Sequence, residues 1–322
     1  MLRWGVLSPG RIAADFVSTL HRNTDQRVVA VGSRSPERAR QFATEHGVPR
    51  SYGDYRGLVD DPDVDIVYVS SINSEHRPLA ELAIAAGKHV LIEKPMGVDA
   101  DDARAIALSA RSAGVFAMEA MWSRYLPQTD VLLQLRDQGA FGDIKQVSAD
   151  FGADFGSNYS APVFRPELGG GVLRDIGIYP VWFARLLLGD PLSIAAKGVG
   201  IETGVDAQMA AILTFAGGAQ ATVSATIFAA TPTVAAINGT RARAEVRTPF
   251  LMPDGFEFIT KNSRVTWTDQ SGLRRRDGLC WQAVGVAAHI ANGLTESPLH
   301  SLDDSIAILG ILDSMRQAVR SS

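Results

Sequence analysis

Asp65-Ile66-Val67-Tyr68-Val69-Ser70 leads through Ser71-Ile72-Asn73-Ser74-Glu75-His76 to a stretch from Leu79 to Ala86 that Gly87 closes. Then comes His89-Val90-Leu91-Ile92-Glu93-Lys94-Pro95, and this stretch decides the fold. The runs 65–70 and 89–92 are short, continuously apolar and rich in β-branched residues, the pattern of strands buried on both faces. Between them lies a helix stopped by a glycine. A buried strand, a helix and a second buried strand predict parallel pairing, with helices covering both faces of the sheet.

The same alternation extends outward. Residues 3–8 form an apolar run that ends at Pro9-Gly10, followed by a helix from about Ile12 to Leu20 and a strand over Val28–Val31. Ser35-Pro36-Glu37 starts a helix with an N-cap residue, a proline and an acid in that order, and Gly47 ends it. Tyr52 falls on a third strand, and Asp54–Val59 on a short helix. Beyond Pro95, Ala100–Ala113 is a helix closed by Gly114, and Val115–Ala120 is a strand. Residues 1–120 therefore read as a doubly wound parallel sheet of Rossmann type. After Trp122 the pattern changes. A helix runs from Pro127 to about Gln138, and then strands follow without helices between most of them: 144–151, 194–200, 209–215, 219–228, 233–237, 244–247, 256–260 and 265–268. Ala216-Gly217-Gly218 and Asn238-Gly239 read as turns. Residues 121–322 are predicted to form an α+β domain on a large, mostly antiparallel open sheet, with helices near 172–188, 281–292 and 303–319. An open sheet with one exposed face points to a homo-oligomer, most simply a two-fold dimer.

Composition excludes several classes. The chain has 322 residues, 46% hydrophobic and 20% charged, enough for two domains with sizeable cores. A net charge of -4 argues against nucleic acid as the main partner. Cys280 is the one cysteine, so no internal disulfide forms, and a reducing cytoplasm fits. The start, Met1-Leu2-Arg3-Trp4-Gly5, lacks signal-peptide character, and no apolar run reaches membrane-spanning length. The six histidines show no ligand spacing, so no metal is expected.

Ser8-Pro9-Gly10-Arg11-Ile12-Ala13 sits between the first strand and first helix, where a dinucleotide loop belongs. Ser8 stands in place of the first fingerprint glycine. Gly10 lets backbone approach a pyrophosphate, Arg11 and Ile12 open the helix whose N-terminus holds the anion, and Ala13 permits close packing. The second strand ends in Ser33-Arg34-Ser35, without the carboxylate that binds the ribose 2′-hydroxyl of NAD(H). Arg34, with Ser33 and with Arg38 one turn on, suits a 2′-phosphate. The cofactor expected is NADP(H) in preference to NAD(H).

Lys94 follows the carboxyl end of a strand, the edge at which open α/β sheets bind ligands, and Glu93 is placed to orient it. With the Asn73-x-x-His76 loop and Ala86-Gly87-Lys88-His89-Val90, Glu93-Lys94-Pro95 resembles the Gfo/Idh/MocA oxidoreductase family, and the resemblance runs through the whole chain. A second block, Gly169-Gly170-Gly171-Val172-Leu173-Arg174-Asp175-Ile176-Gly177-Ile178-Tyr179, supports it. Asp175 and Tyr179 are four residues apart and share one helix face. Tyr179 stands where the wider family often has histidine. This, with Met118-Glu119-Ala120-Met121-Trp122, resembles the branch of dimeric dihydrodiol dehydrogenases and NADP-dependent D-xylose dehydrogenases.

The resemblance implies a Rossmann domain followed by an open-sheet domain, and hydride transfer between a substrate C–H and the nicotinamide. Lys94, Asp175 and Tyr179 are then the catalytic residues, and Asn73, His76 and Glu93 join the cofactor site. Either Tyr179 accepts the proton, its ordinary pKa of about 10 lowered by the Lys94 ammonium, or Lys94 itself accepts it. Asp175 would hold a substrate hydroxyl or orient Lys94. Trp122, Phe155 and Arg165 are substrate-contact candidates, and the substrate is a sugar, polyol or cyclic diol. Two alternatives stand beside a sugar dehydrogenase: a trans-dihydrodiol dehydrogenase, and a non-catalytic NADP-binding regulator of the same fold.

Overall fold

The apolar runs of the first third pair as their alternation requires. In chain order they are β1 (Arg3–Leu7), α1 (Arg11–Asn23), β2 (Arg27–Gly32), α2 (Pro36–His46), β3 (Arg50–Tyr52), α3 (Tyr55–Val59), β4 (Ile66–Val69), α4 (His76–Ala85), β5 (His89–Ile92), α5 (Ala100–Ala113) and β6 (Ala117–Glu119). The computed structural model describes residues 1–320. The six strands form one sheet in the order β3-β2-β1-β4-β5-β6, every pair parallel. Local signals act as their chemistry demands. The Ser35 hydroxyl caps α2 by accepting from the Arg38 N–H, and Gly47 and Gly114 end α2 and α5 in left-handed conformation. Phe16 of α1 packs between Trp4 (centroids 5.2 Å) and Tyr68 (4.3 Å), all three fully buried. Each such ring contributes about 1.5–3 kcal/mol by leaving water, so α1 is fixed over β1 and β4. Strand order reverses between β1 and β4, which opens a crevice at their carboxyl ends.

The second sheet is built from α6 (Pro127–Asp137), β7 (Ile144–Gly152), α7 (Ile178–Leu188), β8 (Ser193–Gly200), β9 (Asp206–Thr214), β10 (Gln220–Thr226), β11 (Ala235–Gly239), β12 (Ala242–Val246), β13 (Gly255–Thr260) and β14 (Arg264–Thr268). Its order is β14-β13-β12-β11-β7-β10-β9-β8, and only β7 with β10 is parallel. The alternating burial of β9, β10 and β12 shows one covered face, and α7 packs against β7 and β10.

The chain then makes α8 (Leu279–Ala291) and α9 (Leu302–Arg320). One compact unit comprises Met1–Tyr125 with Arg276–Ile306, and the other comprises Leu126–Arg275 with the chain from Ala307. The helix expected beside the second sheet near 281–292 thus belongs to the first unit. Its apolar stripe, Leu279, Cys280, Ala283 and Val286, is buried, and α8 packs on α1. Gln26 links the two layers: its Oε1 accepts from Trp4 Nε1 (2.8 Å) and its Nε2 donates to the Ala283 carbonyl (3.1 Å). One turn signal also reads differently. Asn238 and Gly239 end β11 rather than forming the turn, because a Cβ at Gly239 would lie 2.2 Å from the Phe141 carbonyl oxygen, so the glycine serves a close backbone approach.

Candidate active site

The residues expected at the site fall in both units, and each set has its own local construction. In the first unit, Ser8 takes a left-handed conformation (φ 65°), the one a glycine there adopts without cost. Its N–H donates to the Gly32 carbonyl at 2.9 Å, which ties the loop to the end of β2. Gly10 is the N-cap of α1, and a Cβ at that position would meet nothing within 4 Å. The α1 N-terminus has no side-chain cap and no acid in its first turn, unlike α2 and α5. Arg11 is exposed and Ile12 half-buried. Open space beside Gly10 and uncapped N–H groups fit the pyrophosphate of a dinucleotide.

At the end of β2, Ser33 is buried, its hydroxyl accepting from the Ser35 N–H at 3.2 Å. Arg34 is exposed and has no hydrogen bond or ion pair among the described residues. Arg38 is also exposed, but one N–H of its guanidinium donates to the Pro9 carbonyl at 3.0 Å.

Lys94 leaves the end of β5 half-buried, in a segment clamped on several sides. Glu93 is buried; its carboxylate accepts from the Tyr68 hydroxyl and from the Lys94 backbone N–H (3.3 Å). Burial pushes the Glu93 carboxyl above the usual range, against the pull of the Tyr68 hydrogen bond and the Lys94 charge. Asn73 opens a short turn, Asn73–Glu75, at the start of α4. His76 is fully enclosed. Its Nδ1 lies 2.7 Å from the Pro95 carbonyl and its Nε2 3.0 Å from the Ser71 carbonyl. Both neighbours are acceptors and a neutral imidazole has one N–H, so the ring donates to one carbonyl and abuts the other, wedged between the loop after β4 and the loop after β5. Burial lowers the His76 pKa.

In the second unit, Asp175 and Tyr179 are carried by a wide π-type turn, Leu173–Gly177, that runs into α7. Such turns insert a residue into the helical register and recur at functional sites. The glycines ahead of it are required: Gly171 has φ 121° and a Cβ there would strike the Asp206 carboxylate, and a Cβ on Gly170 would strike the Pro162 carbonyl. Asp206 in turn accepts the Leu173 N–H at 2.8 Å. Asp175 is half-buried and Tyr179 is buried, its ring 6.0 Å from that of Phe151.

Among the substrate-contact candidates, Trp122 is buried in the first unit, Phe155 is half-buried in the second, and Arg165 is exposed with its Nε donating to Glu167 (2.6 Å). Sequence reasoning assigned no role to Glu119, a buried carboxylate in an otherwise apolar strand, which was the available signal.

An uncapped, glycine-started helix at the reversal point of a parallel sheet in this order is where doubly wound folds bind dinucleotides. Residues 2–121 match the oxidoreductase family with NAD-binding Rossmann fold, Gfo/Idh/MocA, and residues 131–245 match the C-terminal domain of the same family. The chain belongs to the Gfo/Idh/MocA family and is a nicotinamide-dependent dehydrogenase. It is 36% identical to a trans-1,2-dihydrobenzene-1,2-diol dehydrogenase of Xenopus tropicalis, covering 98% of this chain and 97% of that one. The aldose-aldose oxidoreductase of Caulobacter crescentus superposes with a TM-score of 0.89 at 25% identity, covering 99% and 98% of the two chains. A levoglucosan dehydrogenase solved with NADH and levoglucosan has a TM-score of 0.90 at 21% identity, covering 99% and 97%, and shows the fold alone.

Proposed function

We propose that this chain oxidises a secondary alcohol or hemiacetal carbon of a sugar, polyol or cyclic diol with NADP. The observation that carries the cofactor choice is Arg34: an exposed guanidinium without a protein partner, at the end of β2, where an NAD enzyme has a carboxylate. A bound nicotinamide would supply the hydride acceptor. The α1 N-terminus and Gly10 would hold its pyrophosphate, and Arg34 with Arg38 the 2′-phosphate. Lys94 binds the substrate hydroxyl that loses its proton, Tyr179 accepts that proton, and Asp175 orients a neighbouring hydroxyl. Trp122 and Phe155 offer faces to the carbon skeleton. Sugars are supported by the similarity to the aldose-aldose oxidoreductase, and cyclic diols by the curated relatives.

The test is formation of reduced nicotinamide with NADP or NAD across a panel of pentoses, hexoses, inositols and trans-dihydrodiols. Tight NADPH binding without turnover on any of them, in either direction, would favour the regulator.

We also propose a homodimer formed through the exposed face of the second sheet. That face carries a groove of about 680 Å³ whose lining includes Ala195, Ala210, Ile212 and Val234 beside Asp150 and Lys197. An exposed, largely apolar face with both charges present suits two-fold pairing. A monomer by light scattering at working concentration would refute it.

A further inference from the structure

Glu119 ends β6, paired in register with Ile92 of β5, two residues before Lys94. Its side chain is fully buried and both carboxylate oxygens are used. Oε1 accepts the Met96 N–H at 2.8 Å, and Oε2 accepts from His300 Nε2 and from the Ser305 hydroxyl, each at 2.8 Å. Burial works to raise this carboxyl, but the hydrogen bonds and the His300 pairing outweigh it and hold it below the ordinary glutamate range. A buried carboxylate is costly, and an apolar side chain would fill the same space without that cost. Packing alone therefore does not account for an acid here.

What the acid holds is specific. The Met96 N–H and the Pro95 carbonyl are the two ends of a single peptide group. Glu119 binds one end, and His76 Nδ1 lies 2.7 Å from the other. That peptide follows Lys94-Pro95 directly, so its orientation fixes the direction in which the chain leaves Lys94. Glu93 holds the Lys94 N–H on the other side. His300 and Ser305 lie far along the chain and brace the carboxylate from behind.

We propose that Glu119, braced by His300 and Ser305, is a positioning residue for the hydride-transfer reaction: it locks the Pro95–Met96 peptide and thereby sets the place of the Lys94 ammonium. The proposal rests on the reading of Lys94 as catalytic, and Lys94→Ala tests that reading separately. Two conservative variants of Glu119 then divide the question. Glu119→Gln keeps the length and an oxygen for the Met96 N–H, while the Ser305 hydroxyl and the His300 tautomer can turn to meet the new amide. Glu119→Asp keeps the charge but is one methylene too short to reach Met96 and its brace together.

The expected result is a kcat for Glu119→Asp reduced about 10- to 100-fold, as for residues that orient a catalytic group through one intermediary. KM and NADP affinity should stay within about threefold, since neither contact is removed. Glu119→Gln should retain clearly more kcat than Glu119→Asp. The proposal is overturned if Lys94→Ala is inactive while Glu119→Asp turns over like wild type. It is equally overturned if Glu119→Gln loses more kcat than Glu119→Asp, because charge rather than reach would then matter. Thermal melts of both proteins, read beside kcat, complete the test: a kcat order that simply follows melting temperature also overturns it.

Discussion

Replacing Arg34 by alanine tests the proposed contact with the 2′-phosphate of NADP. The guanidinium is exposed and has no partner among the described residues, so its removal should change stability by no more than about 0.5 kcal/mol. A charge-assisted hydrogen bond to a phosphate is worth about 1.5–3 kcal/mol. Exposure to solvent and salt pulls the value toward the lower end. At about 1.4 kcal/mol per tenfold, NADP binding should weaken about 10- to 50-fold. NAD has a hydroxyl at that position, so its affinity should change less than about threefold. Arg38 already gives one N–H to the Pro9 carbonyl, and Arg38→Ala should cost NADP less than Arg34→Ala does. Fluorescence titration of NADPH and NADH into each variant measures both constants. Raising the ionic strength should narrow the wild-type preference for NADP, because the contact is electrostatic. Equal losses for the two cofactors, or a preference for NAD in the wild type, would refute the reasoning.

Lys94→Ala should lower kcat about 10²- to 10⁴-fold while NADP affinity stays within a few-fold; near-wild-type turnover removes Lys94 from the reaction. Ser8→Gly should stabilise the protein by about 0.5–1 kcal/mol, since a left-handed serine costs about 1–2 kcal/mol and glycine gives part of that back as backbone entropy; a lower melting temperature contradicts this. Glu119 has a folded pKa below its ordinary 4.5, so its contribution to stability is present above that value and is lost as pH falls through the folded pKa. Denaturant melts from neutral pH downward should show a shallower acid loss in Glu119→Gln than in the wild type, and parallel curves would dismiss the assignment.

Much of the fold was legible because local chemistry and global topology agree. Ala100–Ala113 with its closing Gly114 emerges as read, and strands expected over 209–215 and 219–228 appear as Asp206–Thr214 and Gln220–Thr226. The destination of α8 was not legible: an apolar stripe of Leu279, Ala283 and Val286 states that it will be covered and not by what. The π-type turn under Asp175 was hidden for a related reason, because the helix that follows it, Ile178–Leu188, is apolar on most of its surface and so marks no register. Arg34 and Gly10 could be singled out because their neighbours in sequence give them meaning. Glu119 stood out only as a carboxylate in an apolar strand, and its role stayed unread because His300 and Ser305 lie more than 180 positions away.

The return of Arg276–Ile306 to the first unit also governs how the protein is made. Gln26 is translated 257 residues before the Ala283 carbonyl that it binds. The nucleotide-binding half therefore cannot finish folding during synthesis in N-to-C order. It must wait with the α1 surface uncovered while the whole second sheet is translated, and a nascent chain stalled before residue 276 should present that surface to chaperones.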